Sequence, residues 1–210
     1  MRVKQPPILP TLRPLDDDPT LRARLRDDPD AHADLFRQTH GPLCRYALRI
    51  TGDAATAEDV VQDVFLTLWR KRERLAEGDA LQSLLYTMVR NRALNSTRRR
   101  RWHGDSDEAP EPVSEAPPAD LALDASDLQR HLHRWIDELP PRRGEAFALS
   151  RFHGLRHAEI ADVMGLSERT VNTHILLALR ELRARLDAHT AAPDSQARDS
   201  GQAATPPHAP

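Results

Sequence analysis

The sequence predicts an all-α protein, with two small helical domains joined by a flexible acidic linker. The chain is rich in Leu, Ala, Arg and Glu and has only 8 glycines among 210 residues, a composition that favours helices. Apolar residues recur at steps of three and four along most of the chain, as on the buried face of a helix. This periodicity stops over residues 104–124, where acids and prolines are frequent and no base occurs. That stretch is therefore predicted to be the linker between the domains.

The first helical domain is predicted to span residues 29–103, after a mobile N-terminal extension over residues 1–28 that is rich in Pro, Asp and Arg. Apolar periodicity predicts four helices in this domain, over residues 30–40, 42–51, 56–75 and 81–102. Gly41-Pro42 is expected to separate the first two. The third helix presents a buried stripe of Val60, Val61, Val64, Phe65, Leu68 and Trp69. The fourth is expected to turn inward Leu81, Leu84, Leu85, Met88 and Val89.

The second helical domain is predicted to span residues 125–186 and to be followed by a disordered tail over residues 187–210. Four helices are expected in it, over residues 126–139, 142–154, 156–165 and 167–186. The last two have the spacing of a helix-turn-helix.

The stretch "GLSERTVNTH" carries this motif. Gly165 ends one short helix, and the Ser167 hydroxyl can accept a free backbone N–H at the start of the next. The core positions are apolar at Ile160, Met164, Leu166, Val171 and Ile175, with the small Ala161 where two helices cross closely. Arg169, Asn172 and Thr173 then lie on the outer face, where they can reach base edges or phosphates.

Composition limits the classes of protein to which this chain could belong. The 30 basic and 32 acidic side chains nearly cancel, so overall charge does not indicate nucleic acid. Cys44 is the only cysteine, which allows no internal disulfide and offers no cysteine pair for zinc. The N-terminus lacks the apolar segment of a signal peptide, and no run is apolar enough to cross a membrane. These features are typical of a soluble, cytoplasmic, helical protein.

The first domain separates two charged faces. Asp59, Gln62 and Asp63 share one outward face of the third helix. The fourth helix carries six arginines and no acid, flanked by Tyr86 and Trp102. Arginines interleaved with aromatic rings suit single-stranded nucleic acid, because guanidinium groups hold phosphates and rings stack on unpaired bases. The alternative is a solvated basic helix end that favours the helix dipole.

Three stretches in order resemble the extracytoplasmic-function group of the sigma-70 family. They are "AEDVVQDVFLTLW", "SLLYTMVRNRALNSTRRRR" and, after the acidic linker, "LPPRRGEAFALSRFHGLRHAEIADVMGLSERTVNTHI". The resemblance covers about residues 30–186, with region two of the family at 30–103 and region four at 125–186. It implies a transcription initiation factor that directs core RNA polymerase to promoters.

Carried over by position, the resemblance assigns three sets of residues. Those that dock on the polymerase β′ subunit would be Asp59, Gln62, Asp63, Phe65 and Trp69. Those that hold the melted −10 element would be Tyr86, Arg90, Asn91, Arg92, Asn95 and Arg98 to Arg101, with the turn at 77–80. Those that contact the −35 duplex would be Ser167, Arg169, Thr170, Asn172, Thr173 and His174.

The resemblance also implies partners. These are the β′ and β subunits of core polymerase, promoter DNA, and an anti-sigma factor with a membrane-embedded part. The apolar Leu176 and Leu177 on the reader helix would suit either a thymine methyl group or a regulator that covers the helix. No cofactor, metal or small-molecule substrate is expected.

Two other classes of protein explain parts of the sequence. A LuxR-type regulator would account for the helix-turn-helix, but no alternating strand and helix pattern of a receiver domain precedes it. A metal enzyme would use Glu58, Asp59 and Asp63, but no further ligand obviously completes the site. No nucleophile with its base and no phosphate-binding glycine loop appears, so the sequence does not favour an enzyme.

Overall fold

The computed structural model describes residues 20–74, 80–102 and 123–191. These residues form helices joined by short turns, which agrees with the predicted all-α fold. The helices are α1 (Leu21–Asp27), α2 (Pro29–Thr51), α3 (Ala54–Arg70), α4 (Leu81–Trp102), α5 (Leu123–Asp137), α6 (Pro141–Arg151), α7 (His157–Met164) and α8 (Glu168–Ala191). The acidic linker and the predicted tail lie almost entirely outside the described residues. Within the described ranges, no helix has the length and apolarity needed to cross a membrane.

The helical domain begins earlier than residue 29. Helix α1 places Leu25 in the core with no exposed surface, and the His32 side chain of α2 hydrogen-bonds the Leu25 carbonyl at 2.9 Å. This corrects the prediction of a mobile extension over residues 1–28, which is wrong from Leu21 onward. About two turns of helix with one fully buried leucine are too short to give a periodic signal in the sequence.

Helix α2 continues through Pro42, so the predicted break at Gly41-Pro42 is wrong. Proline disfavours a helical residue before it through contact with that residue's Cβ, and Gly41 has none. Packing also favours continuity, because a single buried face runs along both halves of the helix. That face consists of Ala31, Leu35, Thr39, Leu43, Tyr46 and Ala47.

Helix α3 packs as predicted with one exception, but it begins at Ala54 and ends at Arg70, whereas the prediction was residues 56–75. The Asp53 carboxylate accepts the Thr56 backbone N–H at 2.8 Å and so caps the helix. The predicted stripe is buried except at Trp69, which is 37% exposed. Its ring instead lies edge-on to His32 and under the guanidinium of Arg72, so it borders the surface.

The helix-turn-helix forms as predicted. Gly165 ends α7 at φ +64°, a left-handed backbone that glycine adopts without strain. The Ser167 hydroxyl accepts the Thr170 backbone N–H at 3.1 Å and caps α8. Glu159 fixes the start of α7, since its carboxylate accepts the Arg156 N–H at 2.6 Å. Helix α6 is tied to α8 by Arg143, whose guanidinium donates to Glu181 at 2.7 Å.

The two predicted domains pack against each other. Helix α7 lies against α4, and a single apolar cluster contains core residues from both sides of the linker. The Tyr46 hydroxyl of α2 and the Arg90 guanidinium of α4 both donate to Glu145 of α6, each at 2.8 Å. We name Tyr46, Arg90 and Glu145, together with the pair Tyr86–His153, the interdomain latch.

His153 is the buried centre of this contact. Its Nδ1 lies 2.9 Å from the Tyr86 hydroxyl, and its backbone carbonyl accepts the Gln82 side-chain amide at 2.8 Å. The ring also contacts Tyr46 at 5.8 Å between centroids. Burial, with the nearby positive charges of Arg45 and Arg49, lowers the pKa of His153 to about 3. The ring is therefore neutral at physiological pH.

Acid is expected to destabilise the packed chain through His153. The pKa of His153 is lower in the folded chain than its ordinary value of 6.5, so unfolding takes up a proton below pH 6.5. The stability that this ring contributes is complete above pH 6.5 and is lost as the pH falls toward 3. From pH 7 to pH 5 the loss is at most about 2 kcal/mol, at about 1.36 kcal/mol per pKa unit. Urea unfolding at each pH measures it.

The matched variant is His153→Gln, which cannot titrate. Its free energy of unfolding should fall less between pH 7 and pH 5 than that of the wild type. Equal pH dependence of the two proteins would show that His153 is not the group responsible.

Candidate nucleic-acid interface

The predicted polymerase-docking residues lie around an open groove between α2 and α3. Gln62, Phe65 and Trp69 line it, together with residues that the sequence did not single out, namely His32, Ala33, Phe36 and Leu66. Leu66 is 52% exposed although it is apolar. Asp59, Gln62 and Asp63 are exposed beside the groove, as predicted. The surface thus combines an apolar groove with an acidic rim.

Asp63 has a partner within the domain. Its carboxylate accepts the Arg92 guanidinium at 2.8 Å, and the same guanidinium donates to the Thr67 hydroxyl at 2.9 Å. Both side chains remain more than a third exposed, so the pair contributes little stability. It does bring one predicted polymerase residue into contact with one predicted −10 residue.

Helix α4 divides its polar residues between opposite sides. At 3.6 residues per turn, one side carries an exposed stripe of amides, arginines and an indole. We name this the α4 stripe, and its members are Asn91, Asn95, Arg98, Arg99 and Trp102. Trp102 is 85% exposed, although indole is costly to leave in water. Positive charge, amides and an open aromatic ring on one face suit single-stranded nucleic acid.

The other side of α4 faces the second domain. Tyr86 is 1% exposed and the Arg90 side chain 17%. Burial raises the pKa of Tyr86 well above its ordinary value, so its hydroxyl stays protonated. Neither side chain can touch DNA while the domains are packed in this way.

The arginine run is also divided. Arg98 and Arg99 are exposed, whereas Arg100 donates to the Thr56 hydroxyl and lies 3.5 Å from the Asp53 carboxylate. Arg100 therefore helps to fix the start of α3. Hydrogen bonds from Thr56 and the Arg100 charge lower the pKa of Asp53, so it stays ionised. The Arg101 side chain and residues 77–79 of the predicted turn lie outside the described residues.

The predicted duplex-reading face on α8 is exposed. Arg169, Asn172 and Thr173 lie at the surface, and Thr170 and His174 are half-buried beside them. The Thr173 hydroxyl donates to the Arg169 carbonyl at 3.0 Å. Leu176 is 57% exposed on the next turn, while Leu177 is half-buried. The face therefore offers the amide of Asn172, the cation of Arg169 and the apolar side chains of Leu176 and Leu177.

The residues that the structure describes form no metal-binding cluster. No group of three or more His, Cys, Asp or Glu side chains there could hold an ion. His131 contacts His189 of α8, with ring centroids 4.5 Å apart, and His153 is buried between aromatic rings. His131, His153 and His189 thus pack against other rings.

Several residues with a role at these surfaces were missed from the sequence. Leu66 is an apolar residue outside the buried stripe of α3, and that was the available signal. His32 and Phe36 reach the groove from a different helix, so spacing along α3 could not find them. Glu145 and His153 meet α4 from more than fifty positions away, and nothing local marks them.

Two segments match known protein families. Residues 35–103 match sigma-70 region 2, and residues 129–182 match sigma-70 region 4. These segments correspond to the two helical domains, one on each side of the linker.

Whole proteins and solved structures agree with these matches. The chain is 32% identical over 157 residues to the ECF RNA polymerase sigma factor SigL of Mycobacterium tuberculosis, covering 72% of this chain and 86% of SigL. It is 36% identical over 148 residues to the RNA polymerase sigma factor CarQ of Myxococcus xanthus, covering 69% and 83%.

Among solved structures, the sigma factor RpoE of Bartonella quintana, in complex with the anti-sigma factor NepR, has a TM-score of 0.60 and 25% identity over 74% of this chain and 96% of RpoE. CnrH, in complex with the cytosolic domain of CnrY, has the same fold with a TM-score of 0.58 at 22% identity, over 81% and 97%. Two region matches in the expected order and relatives matched over most of their length leave one assignment: this chain belongs to the sigma-70 family, as an RNA polymerase sigma factor of the extracytoplasmic-function group.

Proposed function

We propose that this sigma factor divides its work among three surfaces: the groove between α2 and α3 for core polymerase, the α4 stripe for the melted −10 element, and the outer face of α8 for the −35 duplex. The observation that carries the proposal is the α4 stripe, because exposed amides, arginines and an indole on one helix face have no other evident use. Run-off transcription with purified core polymerase tests this function. The groove and the outer face of α8 would then modulate the amount of transcript.

The groove suits a helix of the β′ subunit. An amphipathic helix binds by laying apolar side chains into a groove, and here Leu66, Phe65 and Trp69 would receive them. The acidic Asp59, with the neutral amide of Gln62 beside it, would face basic residues of that helix and steer its approach. Asp63 contributes to this rim in our proposal, although Arg92 partly neutralises it.

The α4 stripe suits unpaired DNA. Arg98 and Arg99 would hold phosphates, Asn91 and Asn95 would contact base edges, and Trp102 would stack on a base. Arg100 acts indirectly in this proposal, by holding the N-terminus of α3. Arg92 would be recruited only if its pair with Asp63 opened. Arg101 and the turn at 77–80 remain proposed contacts from the family resemblance.

The N-terminal turns of α8 suit duplex DNA. Asn172 can bond an adenine edge with both atoms of its amide, and the Thr173 methyl can contact a thymine methyl. Arg169 and the capping Ser167 would hold phosphates, with Thr170 and His174 at the edge of the contact.

An anti-sigma factor is a proposed partner. Structures similar to this chain hold such partners, and Leu176 and Leu179 leave apolar surface on α8 at 57% and 38% exposure. A membrane-embedded part of that partner is proposed from the family resemblance alone. The cytoplasm is the proposed location of the chain, because core polymerase and promoter DNA are there.

Leu66→Asp is expected to weaken binding to core polymerase about tenfold or more. The substitution places a charge in the apolar groove, and losing a buried leucine contact costs roughly 1.5–3 kcal/mol. The control is Leu94→Asp, at an exposed leucine of α4 away from the groove. Fluorescence anisotropy of labelled protein titrated with core measures both. Wild-type affinity in Leu66→Asp would exclude the groove as the docking surface.

Replacing Arg98 and Arg99 together with alanine should slow promoter melting and reduce its dependence on salt. Each phosphate contact with a single strand contributes about 0.7 to the slope of log affinity against log salt, so the slope should flatten by about 1.4. Permanganate footprints with preformed holoenzyme, at several salt concentrations, measure the melted fraction. The control removes the same charge at exposed Arg26 and Arg37. A slope unchanged from wild type would identify Arg98 and Arg99 as a solvated helix end.

Asn172→Ala should alter which −35 sequences are used, whereas Arg169→Ala should weaken all of them alike. A two-atom amide contact discriminates between bases by about 1–3 kcal/mol, while a phosphate contact carries no sequence information. Transcription from a library of −35 variants ranks the promoters for each protein. The assignment fails if Asn172→Ala preserves the wild-type ranking.

A further inference from the structure

We propose that the groove between α2 and α3 binds a proline-rich, basic segment of this same chain, residues 6–14, and that the segment competes there with core polymerase. The proposal rests on the proposed function, because it names a second occupant for the groove that we assign to polymerase. Residues 6–14 read "PPILPTLRP" and lie outside the described residues, in the part of the chain that precedes Thr20.

The groove has the lining that proline-rich segments bind. Phe36, Phe65 and Trp69 border it. The rings of Phe36 and Phe65 meet edge to face with centroids 4.9 Å apart, and Trp69 meets His32 in the same way at 4.7 Å. These contacts hold the rings in place. Grooves lined by aromatic side chains bind segments with the pattern Pro-x-x-Pro, because such segments are already extended and lose little entropy on binding.

Residues 6–14 have the matching sequence. Prolines at 6, 7, 10 and 14 fix φ near −65° and disfavour a helix. Pro7 and Pro10 have the Pro-x-x-Pro spacing, and the residues between them are the apolar Ile8 and Leu9. Leu66, which is 52% exposed, and the Trp69 ring would receive apolar side chains of this kind. Burial of Leu66 would thereby remove an exposed apolar surface from water.

Charge favours this segment over the other proline-rich parts of the chain. Residues 1–15 carry three bases and no acid, and one of the bases is Arg13, just beyond the Pro-x-x-Pro pattern. The groove has acids beside it: Asp59 is exposed, and the Glu58 carboxylate lies 3.5 Å from the amide of the groove residue Gln62. The stretch over residues 110–118 contains two acids, which this rim would repel, and residues 206–210 contain no Lys or Arg.

The segment can reach the groove from where the described chain begins. His32 of the groove hydrogen-bonds the Leu25 carbonyl of α1 at 2.9 Å, and Leu21 lies about 6 Å of helix earlier. Six residues, 15–20, connect the segment to Leu21 and can span up to roughly 20 Å. The groove extends along α3 only from Gln62 to Trp69, about 10 Å. The acids at 16–18 belong to this connection and would stay outside the groove.

Attachment to the same chain makes a weak contact sufficient. A short connection gives the segment an effective concentration of about 1 mM at the groove. An intrinsic dissociation constant of about 0.1 mM would then cover the groove about nine-tenths of the time. When only the uncovered fraction binds core polymerase, the apparent affinity scales with that fraction. Loss of the segment would therefore raise the affinity for core about tenfold.

The first experiment measures the distance from the segment to the groove in the full chain. Nitroxide labels at Gln5 and at the exposed Gln38 of α2, in a Cys44→Ser background, report this distance by double electron–electron resonance. The free chain should give a short, narrow distribution. Saturating core polymerase should replace it with a broad one. A mixture of two singly labelled chains should give no short distance, since the segment binds within its own chain.

Variants on each side of the contact should remove the short distance. Leu9→Asp with Leu12→Asp places two charges in the segment, and Leu66→Asp places one in the groove, so both should give broad distributions. The matched controls are Val3→Asp, which precedes the prolines, and Leu94→Asp, at an exposed leucine of α4. Both controls should keep the narrow distribution. Circular dichroism checks that Leu66→Asp is folded.

Affinity for core polymerase provides the second experiment. The variant with Leu9→Asp and Leu12→Asp should bind core about tenfold more tightly than the wild type, because the groove is uncovered. Val3→Asp should bind as the wild type does. Fluorescence anisotropy of labelled full-length protein measures all three affinities.

The outcomes distinguish this proposal from the proposed function. A broad distribution in the free wild type, a short distance between singly labelled chains, or an unchanged core affinity in the Leu9 and Leu12 variant would each overturn binding of the segment in competition with polymerase. The distance measurement on the free chain involves no polymerase. A wild-type chain that neither binds core nor supports run-off transcription would therefore overturn the proposed function, whatever that distance shows.

Discussion

The contact between α4 and the second domain is the constraint on which the rest of the structure depends. One side of α4 completes the core of the first domain, and another is covered by α7 and by the latch. Because both of those sides are buried, polar groups for DNA can be presented only on the stripe that remains. The same helix therefore completes the core, contacts the second domain and carries the proposed nucleic-acid surface.

The contact between α4 and the second domain combines apolar and polar groups, and this combination affects how long the two domains stay together. Its apolar part is continuous with the core, which gives cohesion. Its polar part consists of a carboxylate shared by a phenol and a guanidinium, with a neutral imidazole against a second phenol. Once the domains separate, these groups can form hydrogen bonds with water in place of those they lose. The polar contacts therefore fix the geometry of docking without making it permanent.

Charge is unevenly distributed over the surface of a chain with almost no net charge. The acidic rim lies beside the groove on α3, the exposed Arg98 and Arg99 lie near the end of α4, and Arg169 lies on the outer face of α8. The Asp63–Arg92 and Asp53–Arg100 pairs join the acidic and basic helices. These pairs orient α3 against α4, while Arg98 and Arg99 keep their charge for an external ligand in our proposal.

The sequence by itself determined most of the helices, the two-domain plan and the family, because apolar periodicity and the helix-turn-helix depend on neighbours three or four positions apart. The Gly165 stop, the Ser167 cap and the outward Asn172 are local in this sense and were predicted correctly. Only the tertiary structure decided that α2 runs through Pro42, that Leu25 belongs to the core and that Tyr86 faces the second domain. Each of these outcomes depends on packing against distant residues, whose burial outweighs local preference and leaves no mark on the sequence nearby.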